Sequence, residues 1–576
     1  MAQAEGGEGF FELGEVGDEQ ALAVGPEDAV FGQLADGALY LLHRQAHFFG
    51  QLAGGQAHAH AAGVGVSVSD AVPPGIEGNG PSGRPILTGD GQAIAFQSSA
   101  SNLVVGDNNR VSDIFLAPNP LAPAQPAIPK PQLVSVFSNG NPTIQFNDGP
   151  SVLSANGQFV VFNSLETGLD PNNPDLPGIF DVFVRDRGAA GGGITELVSM
   201  DSNGVPGNTD SGITTLNLGI SDNGNVVIFS SNATNLAPGA TNGLGHYFAH
   251  NRATGVTQEV DVADVNQPNA GQEGNAGIGG ASISPGGTLI AFHSYSTNLV
   301  GISAGDNIYV RDLVNQTTTL VSLDGLGNPA NDRTYEPSIS ANGRYVAFVS
   351  LATNLDPACP AVPGIWNIFV RDLAPGGTTV CMTANANDMS FYPRISTTGR
   401  FVVFESAATT LVPGDTNGMV DIFVYDRQVS GLGAFDQVGN TSMTRVNVPT
   451  GGGQSVGDPA PCFFCGSPLV PSISDNGRFV LFSSIAGDLV VNDVGGFLDV
   501  FIHDLQPPGG ATFRVSTDAP GNQGNNDSPY GNISRDGTCA LFGSLASNLV
   551  AGDVNGVPDW FVTDNPALLP GQPCIP

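Results

Sequence analysis

One block of sequence recurs eight times along this chain, and that recurrence limits the fold more than any other feature. GRFVVFESAATTLVPGDTNGMVDIFVYDR (399–427) shows it in full: an apolar run, a Gly/Asp/Asn loop and a second apolar run. The first run returns as GQAIAFQSSASNLVV (91–105), GQFVVFNSLETGLDP (157–171), GNVVIFSSNATNLAP (224–238) and GTLIAFHSYSTNLVG (287–301). GRYVAFVSLATNLDP (343–357), GRFVLFSSIAGDLVV (477–491) and GTCALFGSLASNLVA (537–551) complete the set. One phenylalanine marks each copy: Phe96, Phe162, Phe229, Phe292, Phe348, Phe404, Phe482 and Phe542, at separations of 56 to 78 residues. The second run follows as SDIFL (112–116), FDVFVRD (180–186), DNIYVRD (306–312), WNIFVRD (366–372), VDIFVYD (420–426), LDVFIHD (498–504) and PDWFVTD (558–564).

Short β-branched and apolar runs bounded by Gly, Asn, Asp and Pro read as strands. Each unit supplies four: a short one such as PSIS (337–340), the YVAF-type strand, the DIFVRD-type strand, and TTTLVSL (317–323) or TFRVSTD (512–518). Their nearly continuous apolar character predicts strands covered on both faces. A four-stranded sheet cannot cover itself, so such units stack on their neighbours, and radial stacking makes a β-propeller. Repeat eight ends after its third strand, while GVGVSVSD (63–70) stands before repeat one as an orphan fourth strand. The expectation is therefore an all-β chain. It forms a single propeller of eight four-stranded antiparallel blades over 62–576, closed by an N-terminal strand that completes the last blade. Residues 1–61, rich in Ala, Gly, Glu and His and unlike the rest, read as a disordered or mis-assigned leader.

The S-x-D-G-R-Y-V-A-F-x-S and D-I-F-V-R-D blocks resemble those of the TolB-like, WD40-like PD40 propeller repeats, over essentially all of 62–576. The resemblance implies a propeller that serves as a binding platform, and in some relatives one that caps a peptidase active site. The longer repeats and the insertion between 427 and 470 depart from that pattern.

The formal net charge is −35, with only 18 Lys plus Arg. Such a field repels polyanions, which argues against nucleic acid and anionic membrane surfaces and favours cations, Ca²⁺ in particular. No apolar run approaches the roughly 20 residues needed to span a bilayer, so membrane insertion is not expected. The first twenty residues lack the basic and apolar regions of a secretory signal. Read alone, that means a cytosolic protein; six cysteines and a low-Lys, Asn/Thr/Gly-rich composition conflict with it and favour an extracellular or periplasmic one. A monomer is expected.

The loop between the two runs carries oxygen ligands at positions 1, 3 and 7, a spacing that suits Ca²⁺. The candidate ligands are Asp415, Asn417 and Asp421 in repeat six, Asp107, Asn109 and Asp113 in repeat one, and Asp553, Asn555 and Asp559 in repeat eight. The competing reading is that Asp and Asn cap a Gly turn through local hydrogen bonds. Repeat three reads GATNGLGH, with Ala240 and His246 in the acid positions. His246 and His250 would hold zinc only with ligands from other elements.

Other motifs point to structure. Arg185–Asp186, Arg311–Asp312 and Arg371–Asp372 end strands, where Asp suits an Asx turn and Arg a surface or inter-blade contact. The G-x-S-x-G matches at Ser303 and Ser455 lack the following helix of a nucleophile elbow. C-F-F-C (462–465) reads as a disulfide clip; Cys359 and Cys381 fall in the loop and fourth strand of repeat five; Cys539 and Cys574 could pin the tail to blade eight.

The innermost strands, such as PSVLS, PSISA and PRIST, offer no paired carboxylates or activated nucleophile. Tyr335, Phe391, Tyr392 and Tyr530 just before them are placed at one mouth of the channel, as a ligand surface or as loop packing. Together these features favour a non-catalytic platform for a protein or glycan partner, with structural Ca²⁺ in blade loops. The alternatives are a polysaccharide lyase or hydrolase acting at the channel mouth, which a rim cluster of His and acidic residues would favour, and a structural cell-surface component.

Overall fold

Blade five shows what the repeated unit becomes in the computed structural model. Its strands Thr334–Ile339, Tyr345–Ser350, Asn367–Asp372 and Thr379–Cys381 form one sheet, hydrogen-bonded in chain order. Seven more four-stranded antiparallel sheets follow the same plan, so the fold is an eight-bladed β-propeller. In the eighth, Val64–Gly65 pairs with Val562 and Phe561, so the strand that precedes blade one completes blade eight and closes the ring. The structure describes residues 64–65, 78–89, 91–109, 111–121, 131–145, 147, 151–173, 175–189, 192–212, 218–302, 305–359, 362–455, 471–494, 496–506, 509–518, 520–554 and 556–568. The leader expected over 1–61 lies outside them. Among the described residues no helix is long and apolar enough to cross a membrane.

The marker phenylalanines explain why the blades stack. Each faces an aromatic residue of the third strand in register, as Phe348 faces Phe369, and the eight pairs stack with ring centroids 5.4 to 6.0 Å apart. Alternation along the strand sends neighbours to opposite faces. Phe348 and Phe369 pack on Ala291, Ile308 and Val310 of blade four, whereas Ala347 and Val349 pack on Phe404 and Phe423 of blade six. The core is therefore a circle of inter-blade layers, each joining the Phe face of one blade to the Val/Ala face of the blade before.

The turn chemistry fits the same stacking. In S-A-N-G, Ser340 donates to Asn342 and accepts from the Tyr345 N–H, while Gly343 takes a φ of 69°. A Cβ on Gly343 would stand 2.1 Å from the Leu289 side chain of blade four, so this glycine serves close approach as well as φ. Serines of the inner strands staple neighbours: Ser338 accepts the Ile395 N–H at 3.1 Å and Ser472 accepts the Ile533 N–H at 3.1 Å. The strand-ending aspartates make the expected Asx turns, as Asp372 does with the Ala374 N–H, and Arg344, Arg400 and Arg478 grip Asp372, Asp426 and Asp504 with two bonds each. Arg185 reaches the Phe137 carbonyl and Thr195, the inter-blade role expected of it. Cys359 and Cys381 form a disulfide and Cys539 is disulfide-bonded; Cys462, Cys465 and Cys574 lie outside the described residues.

The first residue of the DIFVRD strand is a clamp. Asp113, Asp181 and Asp499 accept from Ser135, Ser199 and Ser516 just after the fourth strand, and Asn307 and Asn367 accept from Ser322 and Thr383 in the same place. Asp181 is 1% exposed, and burial lifts its carboxyl from 3.8 to about 7 despite the Ser199 bond. The folded chain thus holds a proton there across pH 4–7 that the unfolded chain has released. Stability from this group is full below about pH 4 and is lost as pH rises towards 7. Asp181→Asn, which copies blades four and five, is expected to gain about 2 kcal/mol at pH 8. The gain should vanish near pH 4 in urea unfolding at the two pH values, and an equal gain at both would refute the assignment.

Candidate functional site

The Asp/Asn/Asp loops come first. In blade six, Asp415 and Asp421 are brought together, but the Arg445 guanidinium lies between them, 3.4 and 3.2 Å from their oxygens. Asn417 commits its side chain to a turn: its oxygen accepts the Met419 N–H and its amide donates to the Ser455 carbonyl. Asn109 does the same in blade one, accepting from Val111 and donating to Thr143 and Asp113. In blade one Leu133 stands at the register of Arg445, each paired with the third-strand Phe, so Asp107 and Asp113 are buried there with no arginine between them among the described residues. One Asp107 oxygen has no hydrogen-bond partner, and burial raises both carboxyls, Asp113 to about 6. In blade eight, Asp553 and Asp559 are buried, and Asn555 lies outside the described residues. Blade seven repeats blade six, with Arg514 3.3 Å from Asp493 and 3.6 Å from Asp499.

The aromatic residues form a second site. Tyr335, Phe391 and Tyr392 lie within the inner strands themselves rather than ahead of them. Irregular register between Tyr335 and Ser338, and between Phe391 and Arg394, re-aims them. Glu336 and Tyr392, at equivalent positions, take φ values of 57° and 55°, a conformation that costs energy in a non-glycine residue. Ring contacts run from Tyr295 through His293, Tyr335, Trp366 and Phe391 to Tyr392, with successive centroids 4.6 to 6.5 Å apart. Tyr295 is 42% exposed, and Tyr335, Trp366, Phe391 and Tyr392 are half-buried. Tyr530 is not part of this arc; it stacks on Trp560 within blade eight.

Polar groups border the arc. His293 bonds Asp306 at 3.0 Å, and the Tyr392 N–H donates to Glu336 at 2.8 Å. Burial, with Glu336 nearby, lifts the Glu405 carboxyl to about 8, and burial raises Glu336 as well. Sequence reading missed Tyr295, Trp366, His293 and Glu405. Their signal is positional: His293 and Glu405 each follow the marker Phe, and Trp366 immediately precedes NIFVRD. At the other end of the inner strands, Arg535 of blade eight makes a two-bond ion pair with Asp222 of blade three, joining turns of blades far apart round the ring. Ser455 donates to Asp488, an ordinary loop bond.

The class that these features define is the eight-bladed β-propeller. No protein-family model matches the chain, and no curated protein matches it in sequence. Among solved structures it is similar to a putative TolB from Agrobacterium tumefaciens, at 17% identity over 61% of this chain and 89% of that one, with a TM-score of 0.28. It is also similar to the tricorn protease, at 11% identity over 80% of this chain and 41% of that one (TM-score 0.35). A third is the β-propeller domain of Myceliophteria thermophila Cps50 (Swd1), at 9% identity over 70% and 96% (TM-score 0.35).

Proposed function

We propose that this chain is a non-catalytic binding platform whose protein or glycan partner docks on the aromatic arc of blades four to six. The observation that carries the reading is the unbroken, partly exposed run of rings from Tyr295 to Tyr392. Such rings offer large apolar faces with polar edges, the chemistry that dominates binding surfaces. The charge of −35 selects a neutral or basic partner. The Cys359–Cys381 disulfide supports an oxidising compartment, periplasmic or extracellular. Ca²⁺ belongs to this reading in blade one, where among the described residues no arginine stands between Asp107 and Asp113.

The gathering of His293, Asp306, Glu336 and Glu405 along the same rim favours a second reading, a hydrolase or lyase acting on a glycan there. One experiment separates the two. Partners are enriched from the extracellular fraction and from neutral polysaccharides on wild-type protein, on Trp366→Ala and on Trp560→Ala. Trp366→Ala should lose at least about tenfold in affinity, Trp560→Ala should not, and no polysaccharide should be shortened. Equal retention by both variants sinks the arc as the docking surface, and cleavage lost in Glu405→Gln would establish the enzyme instead.

A further inference from the structure

Blade three departs from every other described blade at the clamp that joins its third and fourth strands. His246 stands where Asp421, Asp499 and Asp181 stand, and Asp261 replaces the Ser or Asn that bonds them. Glu259 faces Phe248 at the register where blades two and four carry Leu197 and Leu320. All three side chains are buried, at 2%, 0% and 5% exposure.

We propose that His246 Nδ1, Asp261 and Glu259 form a binding site for one first-row divalent cation of the zinc class. One donor atom of each residue lies within 4.8 Å of the other two. Nδ1 is 2.6 Å from an Asp261 oxygen and 3.3 Å from Glu259 Oε1. That Glu259 oxygen is buried, faces the imidazole and has no hydrogen-bond partner.

The hydrogen bonds around the ring orient it for this role. Asn242 donates its amide to the Gly274 carbonyl, so its oxygen is the atom that faces His246 Nε2 at 2.9 Å. The same oxygen accepts the Leu244 N–H. Nε2 therefore carries the proton, and the Nδ1 lone pair is directed at two carboxylate oxygens. A lone pair facing anions needs a proton or a metal between them. The other Asp261 oxygen accepts the Tyr247 N–H at 2.8 Å, which fixes the carboxylate. A ligating histidine held through its far nitrogen, beside a carboxylate held by a backbone donor, is how outer contacts support metal ligands.

Charge balance points the same way. Blades six and seven place an arginine against their paired aspartates. Blade three sets Asp261, Glu259 and Glu273 round one imidazole, with Arg311 of blade four acting on Glu259. One nitrogen and two carboxylate oxygens suit Zn²⁺ and its neighbours, whereas Ca²⁺ takes oxygen ligands alone. The ion would staple the third strand of blade three to its fourth, the task that an Asp–Ser bond performs in blade two.

The test uses the full chain after removal of metal with a chelator. Co²⁺ is titrated in as a spectroscopic probe, and bound metal is counted by elemental analysis. Wild type should take up one equivalent with a visible absorption band that Zn²⁺ abolishes, and should melt higher with Zn²⁺. Glu259→Leu, and His246→Asp with Asp261→Ser, rebuild the arrangement of blade two and should fold while losing the band and about 100-fold or more in affinity. Asp261→Asn, which keeps the side-chain shape, serves if either of these melts early. Wild type without the band is held by a protonated His246, and the proposal fails. It fails equally if wild type and the variants bind the same Co²⁺ with the same spectrum, since that is diffuse binding to an acidic surface.

Discussion

Phe348→Ala is expected to destabilise the whole ring by about 3–5 kcal/mol, the range for emptying a fully buried phenylalanine site. Phe348 is 0% exposed and stacks on Phe369 at 5.8 Å. Its loss removes contacts within blade five and with Ala291, Ile308 and Val310 of blade four. The rigid strands on both sides cannot collapse into the space, because the hairpin glycines and inner-strand serines already fix the blade spacing. In an open solenoid such a defect could let the end repeats fray separately. Here the strand that pairs with Val562 and Phe561 closes the circle, so blades lack a free end from which to unfold. Urea unfolding followed by far-ultraviolet circular dichroism should show one transition at lower urea. Leu326→Ala, at a site 90% exposed, should leave the midpoint where it was. A cost under about 1 kcal/mol, or two separated transitions, would contradict a core made of mutually dependent layers.

What could be seen in the sequence was whatever the repeat states locally. The apolar runs marked the second and third strands because each side chain there is buried by its own blade or the next. The missing fourth strand of repeat eight and the spare GVGVSVSD together foretold closure, and Val64–Gly65 supplies it. The clamp was harder to see, since Asp181 and Ser199 meet only after the third and fourth strands pair. Arg445 and Arg514 were overlooked for the same reason, although both replace the Leu of TTTL in the fourth strand. The turn bonds of Asn417 and Asn109, to N–H groups two residues on, were legible as local capping; the carbonyls that hold their amides, Ser455 and Thr143, lie 38 and 34 residues away, and no local spacing reveals them. The arc was only partly legible. Tyr335 and the pair Phe391–Tyr392 stand just ahead of the P-x-I-S segments in the sequence, but Trp366 joins them from a different strand, and the φ of Glu336 is a property of the bulge. Tyr530 holds the corresponding place in blade eight, but blade seven stands between it and Phe391, so it adds no ring to the arc.

The contrast between blades six and one leads to the other large effect. Asp415 and Asp421 are each 1% exposed at the side chain, and Arg445, 8% exposed, is bonded to Asp421 and close to Asp415. Removing one partner of a buried ion group strands the remaining charges, at about 3–5 kcal/mol. Arg445→Leu does this while copying blade one, where Leu133 holds the same register beside Asp107 and Asp113. The variant should lose about that much stability at pH 8 with a chelator present. The deficit should shrink as pH falls, because burial already raises Asp421 to about 6 and loss of the arginine raises it further. The folded form then takes up protons that the unfolded chain has released, so the lost stability returns on the acid side of that range. Millimolar Ca²⁺ should restore part of the deficit in Arg445→Leu and leave wild-type blade six unchanged. Asp107→Asn should remove the part of any wild-type Ca²⁺ stabilisation that comes from blade one, where Leu133 takes the register of Arg445 beside the paired acids. If Arg445→Leu gains nothing from Ca²⁺, two buried aspartates in this loop do not make a calcium site. The unpartnered oxygen of Asp107 would then mark only a carboxyl whose pKa burial raises, and the contribution of that group to stability would fall with rising pH whether or not the ion is present.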